Sequence, residues 1–212
     1  MRLSIYFILF LSVSFAQNYF LEFDGVDDWI AVDPIESLPQ FSASANLILD
    51  NLDSHNAILQ HTSSDGVDGW FLGIADGKPR IILTTFSGSE NWFVDYNLPV
   101  GEYFSITLTY NRNEGHLALY VNGQLIGEHY TEFYWQTGTF RNFKIGRWDS
   151  GANQYFTDMK LFNTYYTESI ILQDDIADYD FNNDDNLIFN LQFNAESEST
   201  IYDSSGLSNH GD

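Results

Sequence analysis

Cysteine is absent from the 212 residues. That excludes a disulfide framework, a thiol nucleophile and a thiolate zinc site. Positive charge is scarce: eight Lys plus Arg stand against thirty Asp plus Glu, a formal net charge of −22. Nucleic acid is therefore excluded as a partner, because phosphate binding requires a basic surface that displaces counterions. An anionic membrane face is excluded on the same ground. There is no Asn-x-Ser/Thr acceptor sequence, which agrees with export from a bacterium. Material for a core is plentiful, since 44% of residues are hydrophobic and 17% aromatic. Such a chain offsets its ordering entropy, and its length points to one domain.

The first residues have the layout of a secretory signal. Met1 and Arg2 are followed by an apolar run from Leu3 to Phe15, then by Ser14 and Ala16 as small residues before a cut at Gln17. The run is too short to span a bilayer, which takes ~20 residues. A buried strand or an uncleaved anchor is the alternative. No later stretch is long and apolar enough to cross a membrane. The expected organisation is a signal peptide over 1–16 and a single domain over 17–212, located outside the cell or at its surface. No motif sets an oligomeric state.

Alternation dominates the rest. Phe41, Ala43, Ala45, Leu47 and Leu49 are separated by Ser42, Ser44, Asn46 and Ile48. Phe104, Ile106, Leu108 and Tyr110 alternate with Ser105, Thr107 and Thr109, and Leu187, Phe189, Leu191 and Phe193 repeat the pattern. Period two with one apolar face marks half-buried antiparallel strands. Further strands are expected at 19–23, 28–32, 56–61, 70–75, 80–86, 91–95, 116–121, 124–129, 142–147 and 155–162. Asn122-Gly123 is a hairpin turn, since both residues tolerate positive φ. Helix is scarce: Thr167 is placed to N-cap a short one near 168–176. The predicted fold is an all-β, two-sheet antiparallel jelly-roll sandwich.

Three stretches in order resemble the laminin G-like, concanavalin A-like lectin/glucanase jelly-roll family over about residues 18–177. The opening is Tyr19-Phe20-Leu21-Glu22-Phe23-Asp24-Gly25-Val26-Asp27-Asp28-Trp29 and the strand after it. The middle runs Tyr103-Phe104-Ser105-Ile106 to Tyr110, then Leu119-Tyr120-Val121-Asn122-Gly123, with Tyr103 in place of the usual Trp and Ser105 in place of His. The third is Ile145-Gly146-Arg147, then Phe156-Thr157-Asp158-Met159-Lys160-Leu161-Phe162-Asn163, where Thr157 replaces a usual Gly. Residues 187–212 resemble the segment that precedes the opening strand in such domains. They either supply a closing strand or begin an incomplete second copy. Closure is preferred, because an unpaired apolar strand invites aggregation.

The resemblance implies calcium held by the strand-end Asp24, the backbone of Gly25 and the late-strand Asp158. Calcium takes six to eight oxygens, which carboxylates and turn carbonyls supply. Asp178 to Asp184 imitates an EF-hand loop but has Asn183 where Gly is needed and Phe189 where Glu is needed, so it is expected to be a solvated loop. The family also includes glucanases with paired strand carboxylates. Glu22-Phe23-Asp24-Gly25-Val26-Asp27 imitates their spacing, yet Gly25 breaks the strand before the third carboxylate aligns. Retaining hydrolysis needs two carboxyl groups ~5–5.5 Å apart. The five histidines form no close ligand pair, and no nucleophile motif occurs.

Glycan stacking is the remaining chemistry. An exposed ring stacks on the C–H face of a sugar while Asn and Asp bond its hydroxyls. Two loops are rich in rings: Glu132-Phe133-Tyr134-Trp135-Gln136 and Trp148-Asp149-Ser150-Gly151-Ala152-Asn153-Gln154-Tyr155. The expected contacts are Trp135, Trp148, Asp149, Asn153 and Tyr155. The expected function is non-catalytic recognition of a glycan or a surface protein through the sandwich rim, with structural calcium. A structural spacer and a glycoside hydrolase are the alternatives.

Overall fold

A computed structural model describes residues 19–52, 56–63, 66, 68–150, 153–171, 179–180, 183–193 and 201–211. The expected signal peptide lies outside them. Fifteen strands follow one another: β1 (Leu21–Asp24), β2 (Ile30–Glu36), β3 (Gln40–Leu49), β4 (Asn56–Thr62), β5 (Gly69–Ala75), β6 (Lys78–Thr85), β7 (Gly88–Phe93), β8 (Tyr103–Asn111), β9 (His116–Val121), β10 (Gln124–Tyr130), β11 (Phe140–Ile145), β12 (Arg147–Ser150), β13 (Asn153–Phe156), β14 (Asp158–Thr167) and β15 (Leu187–Gln192). The first sheet has the order β1-β14-β3-β8-β9-β10, with β15 also on β14; the second is β2-β11-β4-β5-β6-β7. β12 and β13 form a separate hairpin. All pairs are antiparallel, which makes the two-sheet sandwich the alternation predicts.

The core lies where the period-two faces meet. In β3 the odd positions Phe41, Ala43, Ala45, Leu47 and Leu49 are fully buried, and they join Phe104, Ile106 and Leu108 of β8. From the second sheet come Trp70, Leu72, Ile81, Leu83, Phe143 and Ile145. The Asn122-Gly123 turn joins β9 to β10 with φ of 49° and 73°, the conformation that L-residues with larger side chains avoid.

The outer face of the first sheet is polar and partly covered. Ser44 and Thr107 share a hydrogen bond of 2.9 Å, and Asn46 donates to Asn163 over 2.6 Å. The chain leaving β14 crosses this face, where Ile171 packs on Ala118 and Tyr120.

The expected short helix does not begin: residues 168–171 are not helical, and 172–178 lie outside the described residues. The local cap does form, since the Ser169 amide donates to Thr167 Oγ1 over 3.0 Å. It makes a turn because the segment is tied down elsewhere. Ser42 Oγ donates to the Ser169 carbonyl and accepts from the Ile171 amide, and Ser169 Oγ donates to Asp184. Thr167 itself ends β14, which runs longer than its alternation suggests.

β1 pairs with residues 158–161 of β14, and β15 with 163–167, so both short strands lie along one edge of β14. Phe189 and Leu191 are fully buried. Beyond β15, Gly211 bridges to Val32 of β2 and to Ile201, and Asp203 bridges to Leu191. Buried Asp203 accepts from the amides of Asn190, Ser205 and Asn209. Residues 201–211 thus connect one sheet to the other.

Candidate functional site

After β11 the chain folds back as the β12–β13 hairpin, with Trp148 opposite Tyr155, Asp149 opposite Gln154 and Ser150 opposite Asn153. Below it lies an apolar patch on the outer face of the second sheet. Ala57 of β4, Phe71 of β5 and Ile82 of β6 are buried there, and half-buried Trp148 packs on them. The Phe71 and Trp148 ring centroids are 5.0 Å apart. Trp148 and Tyr155 stack at 5.0 Å with planes 24° apart. Asn153 is exposed at the hairpin tip.

One cation, Arg80, flanks Trp148, and others lie by Trp29 nearby. The Arg80 guanidinium lies 5.5 Å from the Trp148 ring and 5.3 Å from that of Phe93. Its Nε and Nη2 both donate to Asn91 Oδ1, the former over 3.0 Å. Phe93 is 50% exposed. Arg147 lies 4.3 Å from the Trp29 ring centroid. Asp149 ties the base of the hairpin: it accepts from Lys144 and from Arg147 Nε, while its own amide donates to Gln60. Burial pushes the Asp149 carboxyl up, but the bonds from Lys144 and Arg147 outweigh that and hold it below the usual range. Asp149 is therefore an anchor of the hairpin, its carboxylate taken up by Lys144 and Arg147.

The charge of this face departs from the rest of the chain. β4, β5, β6 and β11 contain no Asp or Glu, yet carry Lys78, Arg80, Arg141 and Lys144. Arg141 is buried and paired with Asp68; Lys144 is occupied by Asp149.

Four of the expected contacts, Trp148, Asp149, Asn153 and Tyr155, are thus brought together on one hairpin. Trp135 is not among them. Its side chain is 2% exposed, 4.4 Å from the Tyr110 ring and 6.1 Å from Phe41. The loop after β10 turns this indole into the end of the core, because Arg112 Nη1 holds the Trp135 carbonyl at 3.1 Å. Arg80, Phe93 and Trp29 escape a reading that looks for rings in loops. The missing acid in four strands of an acidic chain is a signal for Arg80 on β6; Phe93 and Trp29 have no such signal.

Asp24 and Asp158 are register partners on β1 and β14, and Gly25, at φ +75°, sits so close that a Cβ there would lie 3.1 Å from Asp158 Cβ. The expected trio is therefore adjacent. The converging carboxylates are Asp24, Asp27 and Asp28, whose oxygens lie within 4.8 Å of one another, all exposed. Asp158 instead accepts from Asn51 Nδ2 over 2.7 Å. β1 ends at Asp24, so Asp27 is in the turn, off the strand that carries Glu22. Glu22 faces Lys160 at 3.5 Å. In the acidic stretch after 178, Asp184 is a tie, accepting from the Thr167 and Ser169 hydroxyls.

Residues 24–171 match the Laminin_G_3 family, described as the concanavalin A-like lectin/glucanases superfamily. The chain belongs to that family. Its fold is similar to a proposed carbohydrate-binding protein from Bacteroides ovatus, at 15% identity and TM-score 0.67, over 90% of this chain and 58% of that one. This chain thus spans somewhat more than half the length of that relative. It is also similar to a heptameric SAP-like pentraxin from Limulus polyphemus, at 12% identity, TM-score 0.61, 87% of this chain and 91% of that one. A third likeness is the CBM40 of a Ruminococcus gnavus IT-sialidase, solved with α2,3-sialyllactose, at 12% identity, TM-score 0.54, 76% of this chain and 96% of that one. No curated protein matches.

Proposed function

We propose that the chain is an exported, non-catalytic module that binds a glycan through the outer face of the second sheet and the β12–β13 hairpin. The observation that carries this is the Trp148–Tyr155 ring pair, half-exposed over β4, β5 and β6, three strands that contain no Asp or Glu. A sugar ring stacks on the indole, and Asn153 and Asn91, both exposed, bond its hydroxyls. The hairpin is a loop feature on a rigid scaffold, the usual carrier of specificity. The carbohydrate-binding proteins among structures of similar fold support the reading.

Export rests on residues 1–16, and calcium is part of the same proposal. Asp24, Asp27 and Asp28 offer hard oxygens without a basic side chain among them, a donor set that suits calcium. The ion would neutralise their mutual repulsion and stiffen the turn after β1.

The test is a glycan array probed with the full chain, followed by affinity electrophoresis of the hits. Binding that falls in Trp148→Ala and Tyr155→Ala supports the reading. Binding to a surface protein with no glycan retained would replace the ligand class. Turnover of a β-glucan that disappears in Glu22→Gln would overturn the non-catalytic assignment.

A further inference from the structure

The described residues hold seven cationic side chains, and most are neutralised within the chain. Lys78 pairs with Asp95, Arg141 with Asp68, Lys144 and Arg147 with Asp149, and Lys160 with Asp50 and Glu22. Arg112 is directed at the Trp135 carbonyl and the Thr137 hydroxyl. Arg80, like Arg112, has no carboxylate paired with it among the described residues, although the chain carries thirty; it differs from Arg112 in bonding the exposed side chain of Asn91.

Its surroundings fix its orientation. Asn91 Oδ1 takes Nε and Nη2, while Phe93 and Trp148 flank the guanidinium at 5.3 and 5.5 Å. That leaves the Nη1/Nη2 edge, the fork on which a carboxylate seats with two parallel hydrogen bonds. Partial burial already strips water from the group, which lowers its pKa despite Asp76 nearby. A guanidinium stays charged under that pressure, so an anion arriving there gains a partly desolvated partner. The rings beside it supply stacking surface for the body of the same ligand, and β4, β5, β6 and β11 bring no carboxylate of their own, although Asp76 lies nearby.

We propose that Arg80 is the specificity residue of a subsite for a sugar that carries a carboxylate, seated between Phe93 and Trp148. This deepens the glycan reading above and rests on it. Sialic acids and uronic acids both present that group.

The experiment measures Kd for the full chain against two matched pairs: α2,3-sialyllactose with lactose, and a glucuronate-bearing xylo-oligosaccharide with its uncharged parent. The acidic member of at least one pair is expected to bind about tenfold tighter or more, the scale of a charge-assisted bidentate contact. Which pair shows it identifies the acid. Arg80→Gln brings the acidic-to-neutral ratio to near one. Arg80→Lys keeps the charge without the fork and retains part of the ratio, including its decline between about 50 and 500 mM salt. Melting curves of both variants establish that they fold. A ratio near one in the unmodified chain, or one that survives Arg80→Gln, overturns the assignment. If neutral binding then still falls in Trp148→Ala, the glycan face stands without this subsite. Absence of all binding overturns both.

Discussion

Trp148 and Tyr155 face each other across the β12–β13 hairpin, ring centroids 5.0 Å apart and planes 24° from parallel. Each ring fixes the other, so the pair meets a ligand with little rotamer entropy left to lose. Trp148→Ala is expected to weaken glycan binding about tenfold or more, because an aromatic stacking contact contributes ~0.5–1.5 kcal/mol beyond the area it buries. Tyr155→Ala acts in the same direction through loss of the stack. Affinity electrophoresis reads both. Unchanged retention in the two variants would move the contact surface off the hairpin.

Trp135→Ala should do the reverse. Its indole is packed among Phe41 and Tyr110, so truncation leaves a cavity and costs about 3–5 kcal/mol. Urea unfolding measures that loss. Glycan affinity, taken well below the melting temperature, stays at the level of the unmodified chain. A stable Trp135→Ala protein with impaired binding would return this loop to the site.

Arg141 and Asp68 form the buried ion pair of the second sheet, each side chain only 3% exposed. Arg141 also holds the Gln136 carbonyl at 2.6 Å and donates to the Asp68 carbonyl, tying β11 to the loop before β5. Removing one partner strands the other charge in the interior. Asp68→Asn is expected to cost about 3–5 kcal/mol in urea unfolding. A loss under 1 kcal/mol would mean that water reaches the pair.

The strand pattern is legible because the core face selects apolar residues at every second position of β3, β8 and β15, even though Ser42, Ser44, Thr107, Thr109 and Asn190 on the opposite face are buried as well. β12 is short and amphipathic only in pairing with β13, so no alternation announces it; its residues look like an exposed loop rich in rings. At the start of the helix expected after Thr167, residues 168–171 are non-helical for a tertiary reason. Ser42 and Asp184, distant in sequence, bond Ser169 and Ile171 before a helical turn closes. Trp135 fails likewise, since Tyr134 and Gln136 point outward on either side of it and local composition cannot tell which ring turns in. Four hairpin residues of the site are legible from rings and amides in one stretch. Arg80 is not, since its meaning depends on which groups pair with it in space: it bonds Asn91 and lies beside Phe93 and Trp148 rather than pairing with a carboxylate.

His61 is enclosed by Trp70, Phe143 and Tyr166, with one ring nitrogen 3.3 Å from the Ile35 carbonyl. Burial lowers its pKa from 6.5 to about 3; the Ile35 contact opposes this and the charge of Arg141 adds to it. Between those two values the unfolded chain binds a proton that the native chain refuses. The stability at stake is fully present above pH 6.5 and is lost as pH falls through that window. The slope for one proton approaches about 1.4 kcal/mol per pH unit. Urea midpoints are expected to drop from pH 7 to pH 5, and His61→Phe should drop less. Equal slopes in the two proteins would mean that another group carries the effect.

Asp24, Asp27 and Asp28 converge in the turn after β1, and Gly25 lets the turn lie against Asp158. Three exposed carboxylates within reach of one another repel when nothing sits among them. Extracellular calcium modules hold their ion at ~10⁻⁴–10⁻³ M. About 10 mM calcium would then stabilise the chain by roughly 1.4–2.7 kcal/mol, a rise of a few degrees or more in Tm. Asp28→Asn removes one formal charge from the cluster and should cut the calcium-dependent rise by at least half. Asp24→Asn should do the same, while Asp76→Asn, on an exposed turn between β5 and β6, leaves it intact. Chelator alone returns the unmodified chain to its calcium-free Tm. A Tm indifferent to calcium, or a rise that persists in both turn variants, rules out an ion at this turn.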